Sequence, residues 1–177
     1  FIQLNRQVYF NRGVEIMKTL SATLFLAAFI SLAAGCVVSQ EDKLLEANKA
    51  LVMRTHDEVW SAGDLDLIDE LYSPEYVAHW VDGEDTGRDG IKKMITESRT
   101  AFPDMTESVV HIVAEGDLVV THFISSGTFT GEMNGLQPSG KKMSRPEIAV
   151  HRIVDGKIVE QWTVADQLSV MRQLGLM

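Results

Sequence analysis

Apolar residues recur at helical spacing in the first half of the chain and at strand spacing in the second half. The longest helical pattern runs from Gln40 to Ser61, where apolar side chains return to one face about every seven residues. Shorter helices are predicted for residues 65–72 and 89–99, and a final helical segment after Asp166, whose carboxylate can cap it. The pattern therefore predicts helices before the sheet and one short helix after it.

Alternating apolar and polar residues predict several strands after residue 74, most of them in the second half of the chain. The predicted strands are Glu75–Val81, Ser108–Ala114, Leu118–Ser125, Glu147–Val154 and Lys157–Ala165. The last two flank Asp155-Gly156, a pair typical of a two-residue hairpin turn. Helices first and strands last indicate the α+β class, with helices packed on one face of a strongly curved, mostly antiparallel sheet. Such a sheet closed by helices forms a cone with an internal cavity, so polar residues on its strands are candidates for a site.

The segment before the predicted domain has the features of an export signal. Met17-Lys18 precedes an uncharged apolar run that ends in Ala33-Ala34-Gly35-Cys36, so residues 17–35 are predicted to be a signal peptide. The ending resembles a bacterial lipobox, which makes Cys36, the only cysteine, the expected lipid attachment site. A membrane-spanning helix is the competing interpretation of the same run.

These features divide the chain into four parts. Residues 1–16 precede the expected start and are interpreted as upstream, non-native sequence, followed by the signal (17–35), a tether (36–42) and one domain (43–177). The expected location is the bacterial cell envelope, where the protein would be exported and held at the membrane by its N-terminal lipid.

The charge of the predicted mature part excludes some partners. Residues 36–177 keep 24 of the 25 acidic and 13 of the 16 basic residues, a formal charge of −11. Nucleic acids and anionic membrane surfaces are therefore not expected partners. The five histidines are scattered without a ligand spacing, so neither a metal site nor a cofactor is expected.

An ordered series of short strings covers most of the chain after residue 48. It comprises His56-Asp57-Glu58-Val59-Trp60 with Gly63-Asp64, Leu71-Tyr72-Ser73-Pro74-Glu75-Tyr76, Gly87-Arg88-Asp89-Gly90, Phe102-Pro103-Asp104, Gly127-Thr128-Phe129-Thr130-Gly131, Pro138-Ser139-Gly140-Lys141, Arg152-Ile153-Val154-Asp155-Gly156-Lys157-Ile158-Val159-Glu160 and the end from Asp166 to Gly175. The series resembles the SnoaL-like polyketide cyclase and ester cyclase family, which has the nuclear-transport-factor-like cone fold. The resemblance implies a small apolar molecule as ligand and a homodimer.

The resemblance also implies a catalytic pair that this chain lacks. The family's acid/base Asp and its neighbouring His fall here at Thr163 and Ala149, neither of which transfers a proton at neutral pH. Whether the chain is an enzyme therefore stays open.

Other polar groups on the strands are candidates to replace that pair. Glu147 and His151 are four residues apart and share one face of a strand. A two-residue turn would align that face with Glu160 and Trp162, whereas a three-residue turn would shift the register by one. The family's shared pocket favours the shifted register, which brings Gln161 and Thr163 onto the face of Glu147 and His151. A solvated outer face is the alternative for both residues.

The candidate catalytic residues are Glu147, His151 and His79. The residues predicted to line the pocket are Tyr76, Trp80, His122, Ala149, Gln161, Trp162 and Thr163.

Three functions follow from these candidates. The first is cofactor-free acid/base catalysis of the cyclase or isomerase type. The second is a lipoprotein that binds a ligand without catalysis. The third is an epoxide-hydrolase-like enzyme, which requires a second carboxylate beside Glu147 and Arg145.

Overall fold

In the described part of the chain, four α-helices pack against a six-stranded sheet. The computed structural model describes residues 39–80, 85–133 and 135–177, and Gln40–Met177 form one compact unit. The helices are α1 (Gln40–Arg54), which continues as a π-helix (Thr55–Ser61), α2 (Leu67–Leu71), α3 (Arg88–Ala101) and α4 (Gln167–Leu174). The expected signal peptide and Cys36 lie outside the described residues.

The sheet confirms the α+β prediction. Its strands are β1 (Tyr72–His79), β2 (Asp85–Thr86), β3 (Thr106–Glu115), β4 (Leu118–Thr128), β5 (Lys142–Val154) and β6 (Lys157–Ala165). The strand order is β2-β1-β6-β5-β4-β3, and every neighbouring pair is antiparallel except β1 and β6. In the described part of the chain, no helix combines the length and hydropathy needed to cross a membrane.

The second helix is shorter and the first strand longer than the sequence pattern predicts. The helix ends at Leu71, and Tyr72 is already extended, with φ −107° and ψ 149°. Pro74 disfavours a helical conformation at Ser73, which helps to end the helix. The fully buried Tyr72 then pairs with Ile158 on β6.

A β-bulge decides which residues of the β5–β6 hairpin share a face. The turn is the two-residue one, with Asp155 at φ 51° and Gly156 at φ 71°, and Val154 pairs with Lys157. The register then shifts beyond Ile153, so that His151 pairs with Gln161 instead of Glu160. The predicted shifted register is therefore present, but a bulge in β6 produces it and not a three-residue turn.

The two faces of the sheet have different environments. On β4, alternate residues such as Val119, Thr121 and Ser125 are buried toward the helices. The opposite face exposes large apolar side chains, including Val113, Ile148 and Val164, at 60%, 51% and 65% of their surface. Both faces are thus rich in apolar residues, although the helices cover only one.

Two apolar clusters pack at the helical side of the sheet. One includes Val52, Val59 and Ile91 from the helices and Ile158 from β6, and the other surrounds Phe102, Phe129 and Leu174. Trp60, at the end of the π-helix, packs against both clusters.

Candidate functional site

A cavity of about 750 Å³ lies between the helices and the inner face of the sheet. This volume is typical of sites for small organic molecules. The apolar part of its wall includes Trp60, Trp80, Met94, Phe102, Met105, Phe123, Met143, Ala149, Val170 and Met171. Its ionisable groups include His56, Glu107, Arg145, Glu147, His151 and Asp166.

A buried carboxylate and a buried imidazole meet at the cavity wall. Nδ1 of His56 lies 2.6 Å from Oε2 of Glu107, and the two side chains are 3% and 6% exposed. The other ring nitrogen, Nε2, lies 3.2 Å from the hydroxyl of Thr121. Both nitrogens of His56 are therefore occupied, and a proton between Nδ1 and Oε2 can reside on either atom.

The π-helix places this pair. His56 follows the buried Val52 and precedes the buried Val59 on the apolar side of the helix, so its ring turns inward. The hydroxyl of Ser61 donates to the carbonyl oxygen of His56 at 2.7 Å and accepts from the backbone N–H of Glu107 at 2.8 Å. Ser61 thus fixes the first residues of β3 against the π-helix, which holds Glu107 opposite His56. π-Helical turns of this kind are frequent at functional sites.

A second carboxylate is connected to the first through a serine. The hydroxyl of Ser125 donates a hydrogen bond to Oε1 of Glu147 and lies 3.5 Å from Oε1 of Glu107. Arg145 also binds Oε1 of Glu147, through Nε at 2.8 Å and Nη2 at 2.8 Å. The guanidinium balances the charge of Glu147 and also lowers the pKa of the nearby Glu107, as His56 does.

Burial changes the protonation of Glu107. Loss of solvent raises the pKa of its carboxyl above the usual range, although the contact with His56 opposes this shift. The nearby Glu147 raises the pKa of Glu107 further. A carboxyl with a raised pKa at the wall of a cavity is suited to general acid or base catalysis near neutral pH.

His151 is a second buried imidazole of the cavity, and its surroundings differ from those of His56. Neither ring nitrogen has a hydrogen-bond partner, and the residue is 2% exposed. Burial, together with His56, whose ring centre lies 6.1 Å away, lowers the pKa of His151 to about 3. The ring is therefore neutral at physiological pH.

Comparison with known proteins identifies the family. The SnoaL-like polyketide cyclase family matches residues 50–174, more than half of the chain. The chain belongs to the SnoaL-like polyketide cyclase family.

Similar proteins of the SnoaL-like type agree with this assignment. Nogalonic acid methyl ester cyclase of Streptomyces nogalater is 28% identical over 119 residues, which cover 66% of this chain and 89% of that enzyme. The structure of IdmH from Streptomyces antibioticus is 31% identical, with a TM-score of 0.66 and coverage of 72% of this chain and 98% of IdmH. A SnoaL-like protein from Jannaschia sp. CCS1 is 25% identical, with a TM-score of 0.71 and coverage of 81% and 99%.

The positions of the missing SnoaL-like pair face each other across two strands. Ala149 on β5 pairs with Thr163 on β6, so the two residues are on the same face of the sheet. Ala149 lines the cavity, whereas the hydroxyl of Thr163 accepts a hydrogen bond from Nε2 of Gln161 at 2.9 Å. Oε1 of Gln161 accepts from the hydroxyl of the buried Tyr76 at 3.0 Å. Tyr76 and Thr163, which do not line the cavity, therefore hold Gln161 in place at its wall.

The structure brings five of the ten candidates chosen from the sequence to the cavity. Glu147, His151, Trp80, Ala149 and Gln161 all line it.

Three other candidates lie on the outer face of the sheet, and their assignment to the pocket was wrong. His79 stacks on Trp162 with ring centres 5.2 Å apart, and its Nε2 lies 2.9 Å from Oε1 of Glu160. His122 stacks on His111, with 3.1 Å between the two Nδ1 atoms. The alternation of the strands places all of these side chains opposite the buried residues.

Sequence reasoning missed Glu107 and assigned no role to His56, although both left a signal. His56 falls four residues after Val52 and three before Val59, within the apolar stripe of the first helix. Glu107 lies two residues before Val109 and so shares its inward face on β3. The predicted strand began one residue too late to include it. Asp166 was expected to cap the last helix, and its Oδ1 accepts from the N–H of Ser169 at 2.9 Å.

Replacing His151 with Phe should reduce the loss of stability in acid. The pKa of His151 is about 3 in the folded protein and about 6.5 when unfolded, so protons bind preferentially to the unfolded chain between these values. As the pH falls through this window, the free energy of unfolding of the wild type should decrease by up to about 1.4 kcal/mol per pH unit. His151→Phe should not show this part of the decrease. Urea denaturation at several pH values between 4 and 7 measures the difference.

The comparison has an internal control. Glu107, with its raised pKa, favours the folded state in acid, but it is present in both proteins and cancels in the difference. His122→Phe retains His151 and should keep the wild-type slope. Parallel curves for the wild type and His151→Phe would contradict a neutral His151.

Proposed function

We propose that the cavity binds a small, largely apolar molecule and that Glu107 transfers a proton to or from it, in a reaction of the cyclase or isomerase type. The observation that carries this proposal is the buried Glu107, with its raised pKa, held 2.6 Å from His56 at the wall of a 750 Å³ cavity. Membership of the SnoaL-like family supports the same class of chemistry.

In the proposed reaction Glu107 acts as the base. A C–H bond beside a carbonyl group of the substrate breaks, the proton moves to Glu107, and the electron pair of the bond forms an enolate. His56 holds the carboxylate by its contact with Oε2 and accommodates the proton between the two groups. Attack of the enolate carbon on a second carbonyl carbon closes a ring and leaves an alkoxide, and Glu107 returns the proton to that oxygen. An isomerase would return the proton at another carbon.

The second carboxylate serves the charge balance of the site. Arg145 and Ser125 both bind Oε1 of Glu147, which keeps the guanidinium beside the cavity. A positive charge in that position stabilises an enolate oxygen more effectively than water does. Glu147 is therefore proposed as a residue that positions Arg145 and Ser125, with Glu107 as the proton carrier.

The proposal explains how the chain can do without the family's pair. Ala149 and Thr163 lie on β5 and β6, whereas His56 and Glu107 come from the π-helix and β3. The proton-carrying groups would thus enter the same cavity from other elements.

Glu107→Gln should abolish base catalysis measured with 5-nitrobenzisoxazole. A base removes the proton from the ring carbon of this small apolar compound, the N–O bond breaks, and a coloured cyanophenolate is released. The amide removes the basic oxygen and nearly preserves the shape, so kcat/KM should fall about 100-fold or more. Absorbance of the released phenolate measures the rate.

Glu160→Gln is the matched control, because Glu160 also contacts a histidine, at 2.9 Å, but lies on the outer face. It should retain the wild-type rate. Equal rates for the wild type and Glu107→Gln would reject Glu107 as the base. Binding without any turnover above buffer would favour the non-catalytic alternative, a ligand-binding lipoprotein.

A second candidate function is epoxide hydrolysis, and one observation favours it. Ser125 contacts both Glu107 and Glu147, and Arg145 binds the second carboxylate, so two carboxylates and a guanidinium are close together. In this reaction a carboxylate takes a proton from water, the hydroxide attacks an epoxide carbon, and the C–O bond breaks. A carboxylic acid then protonates the leaving oxygen, which gives a diol.

Styrene oxide in ¹⁸O-labelled water separates the two candidates. The cyclase or isomerase proposal predicts no formation of labelled diol above the buffer rate. Diol carrying one ¹⁸O atom, formed by the wild type and lost in both Glu107→Gln and Glu147→Gln, would establish the hydrolase instead. Mass spectrometry of the product reports both the diol and its label.

We make two further proposals, one on the location of the protein and one on its association with a second copy. The string that ends at Cys36 supports export and lipidation at the membrane of the bacterial envelope. The exposed Val113, Ile148 and Val164 on the outer face of the sheet support contact with a second copy of the chain.

Cys36→Ser should release the protein from the membrane fraction of cells, because serine cannot carry the thioether-linked lipid. Immunoblots of membrane and soluble fractions measure the distribution. Unchanged membrane association would favour an uncleaved anchor helix.

A further inference from the structure

His151 is a buried polar residue for which the proposed proton transfer gives no role. Its ring lines the cavity and is 2% exposed, and both ring nitrogens lack a hydrogen-bond partner. Burying an imidazole without hydrogen-bond partners costs stability, because its polar nitrogens lose their contact with water. A partner that enters the cavity would remove this cost.

The neighbours of His151 do not supply such a partner. Its cross-strand neighbours are Gln161 on β6 and Val119 on β4. The amide of Gln161 is engaged by Tyr76 and Thr163, and the ring of His56, 6.1 Å away, has its own partners in Glu107 and Thr121. His151 is therefore the histidine of the cavity whose hydrogen-bonding groups remain available for a ligand.

We propose that His151 is a ligand-binding residue: one of its ring nitrogens hydrogen-bonds an uncharged oxygen atom, a carbonyl or hydroxyl group, on an otherwise apolar molecule held in the cavity. The inference rests on the proposed function only in taking the cavity as the binding site. It adds a residue that determines which molecules the cavity accepts.

The protonation of the ring decides the class of ligand. Because its pKa is lowered to about 3, His151 is neutral and carries one N–H donor and one nitrogen acceptor. No partner fixes the position of the proton, so the ring can donate to a carbonyl oxygen or accept from a hydroxyl group. A neutral ring gives no charge to bind an anion, and the carboxyls of Glu107 and Glu147 counter the positive charge of Arg145 in the same cavity.

The rest of the wall fits an apolar frame. Trp60, Met94, Met105, Phe123 and Met143 present aromatic rings and polarisable thioethers to the cavity. Such side chains pack well on flat, unsaturated molecules. The expected ligand is thus a largely apolar molecule with a neutral oxygen that lies close to His151.

Three compounds with one frame test this assignment: naphthalene, 2-naphthol and 2-naphthoate. The wild type should bind 2-naphthol about 10-fold more tightly than naphthalene, the value of one net hydrogen bond, and should bind the carboxylate most weakly. His151→Phe should bind naphthalene and 2-naphthol equally. Titration followed by tryptophan fluorescence gives the dissociation constants, and the preference of the wild type should not change between pH 5 and pH 8.

His122→Phe is the matched control, because it removes a histidine from the outer face of the same sheet. It should keep the 10-fold preference.

A second measurement uses only the wild type and so does not depend on the folding of a variant. In ¹⁵N NMR, addition of 2-naphthol should change the chemical shifts of the ring nitrogens of His151 and leave those of His122 unchanged.

The outcomes separate this inference from the proposed function. A preference for 2-naphthol that survives in His151→Phe, or ring nitrogens of His151 that do not respond to it, would overturn the role of His151 alone. Failure of the wild type to bind any of the three compounds would overturn the cavity as a binding site. Loss of the preference in His151→Phe supports the inference even if Glu107→Gln retains its activity with 5-nitrobenzisoxazole.

Discussion

The contact between Glu107 and His56 is the constraint on which the rest of the site depends. A carboxylate that is 6% exposed is costly unless a charge, a proton or hydrogen bonds compensate it. His56 supplies the compensation only because the π-helix turns it inward and Ser61 ties the π-helix to the backbone of Glu107. The neighbouring Glu147 can then share Ser125 with Glu107, since Arg145 balances its charge.

The contact between His56 and Glu107 differs from a second Glu–His contact of this protein in its burial and not in its residue types. His79 and Glu160 repeat the same contact on the outer face, but their side chains are 31% and 27% exposed. There Arg152 also contacts Glu160, with 2.8 Å between Nη1 and Oε2, and both partners of the contact are open to solvent. On the inner face, burial raises the pKa of Glu107 and lowers that of His151. One cavity thus holds a carboxyl and an imidazole for which burial favours the uncharged form.

The sequence was sufficient for the fold and for part of the site. After α3 the spacing of apolar residues changes from helical to strand-like, and this change, with the ordered family strings, predicted the α+β sheet. Asp166 was correctly predicted to cap the last helix. The sequence could not decide which face of the sheet carries Glu147 and His151, because a bulge in β6 shifts the register of the hairpin. The Asp155-Gly156 turn gives no indication of that bulge. Glu107 was missed because its significance arises from contacts with Ser61 and His56, about fifty residues away in sequence.

The most direct test of the account is a titration of the side-chain carboxyl of Glu107 by ¹³C NMR, with the signal assigned by its absence in Glu107→Gln. The account predicts a midpoint clearly above the ordinary range for glutamate, about 4.3. The exposed Glu115, on the same strand, provides the reference signal. A midpoint for Glu107 at or below that of Glu115 would contradict a carboxyl poised by burial for proton transfer.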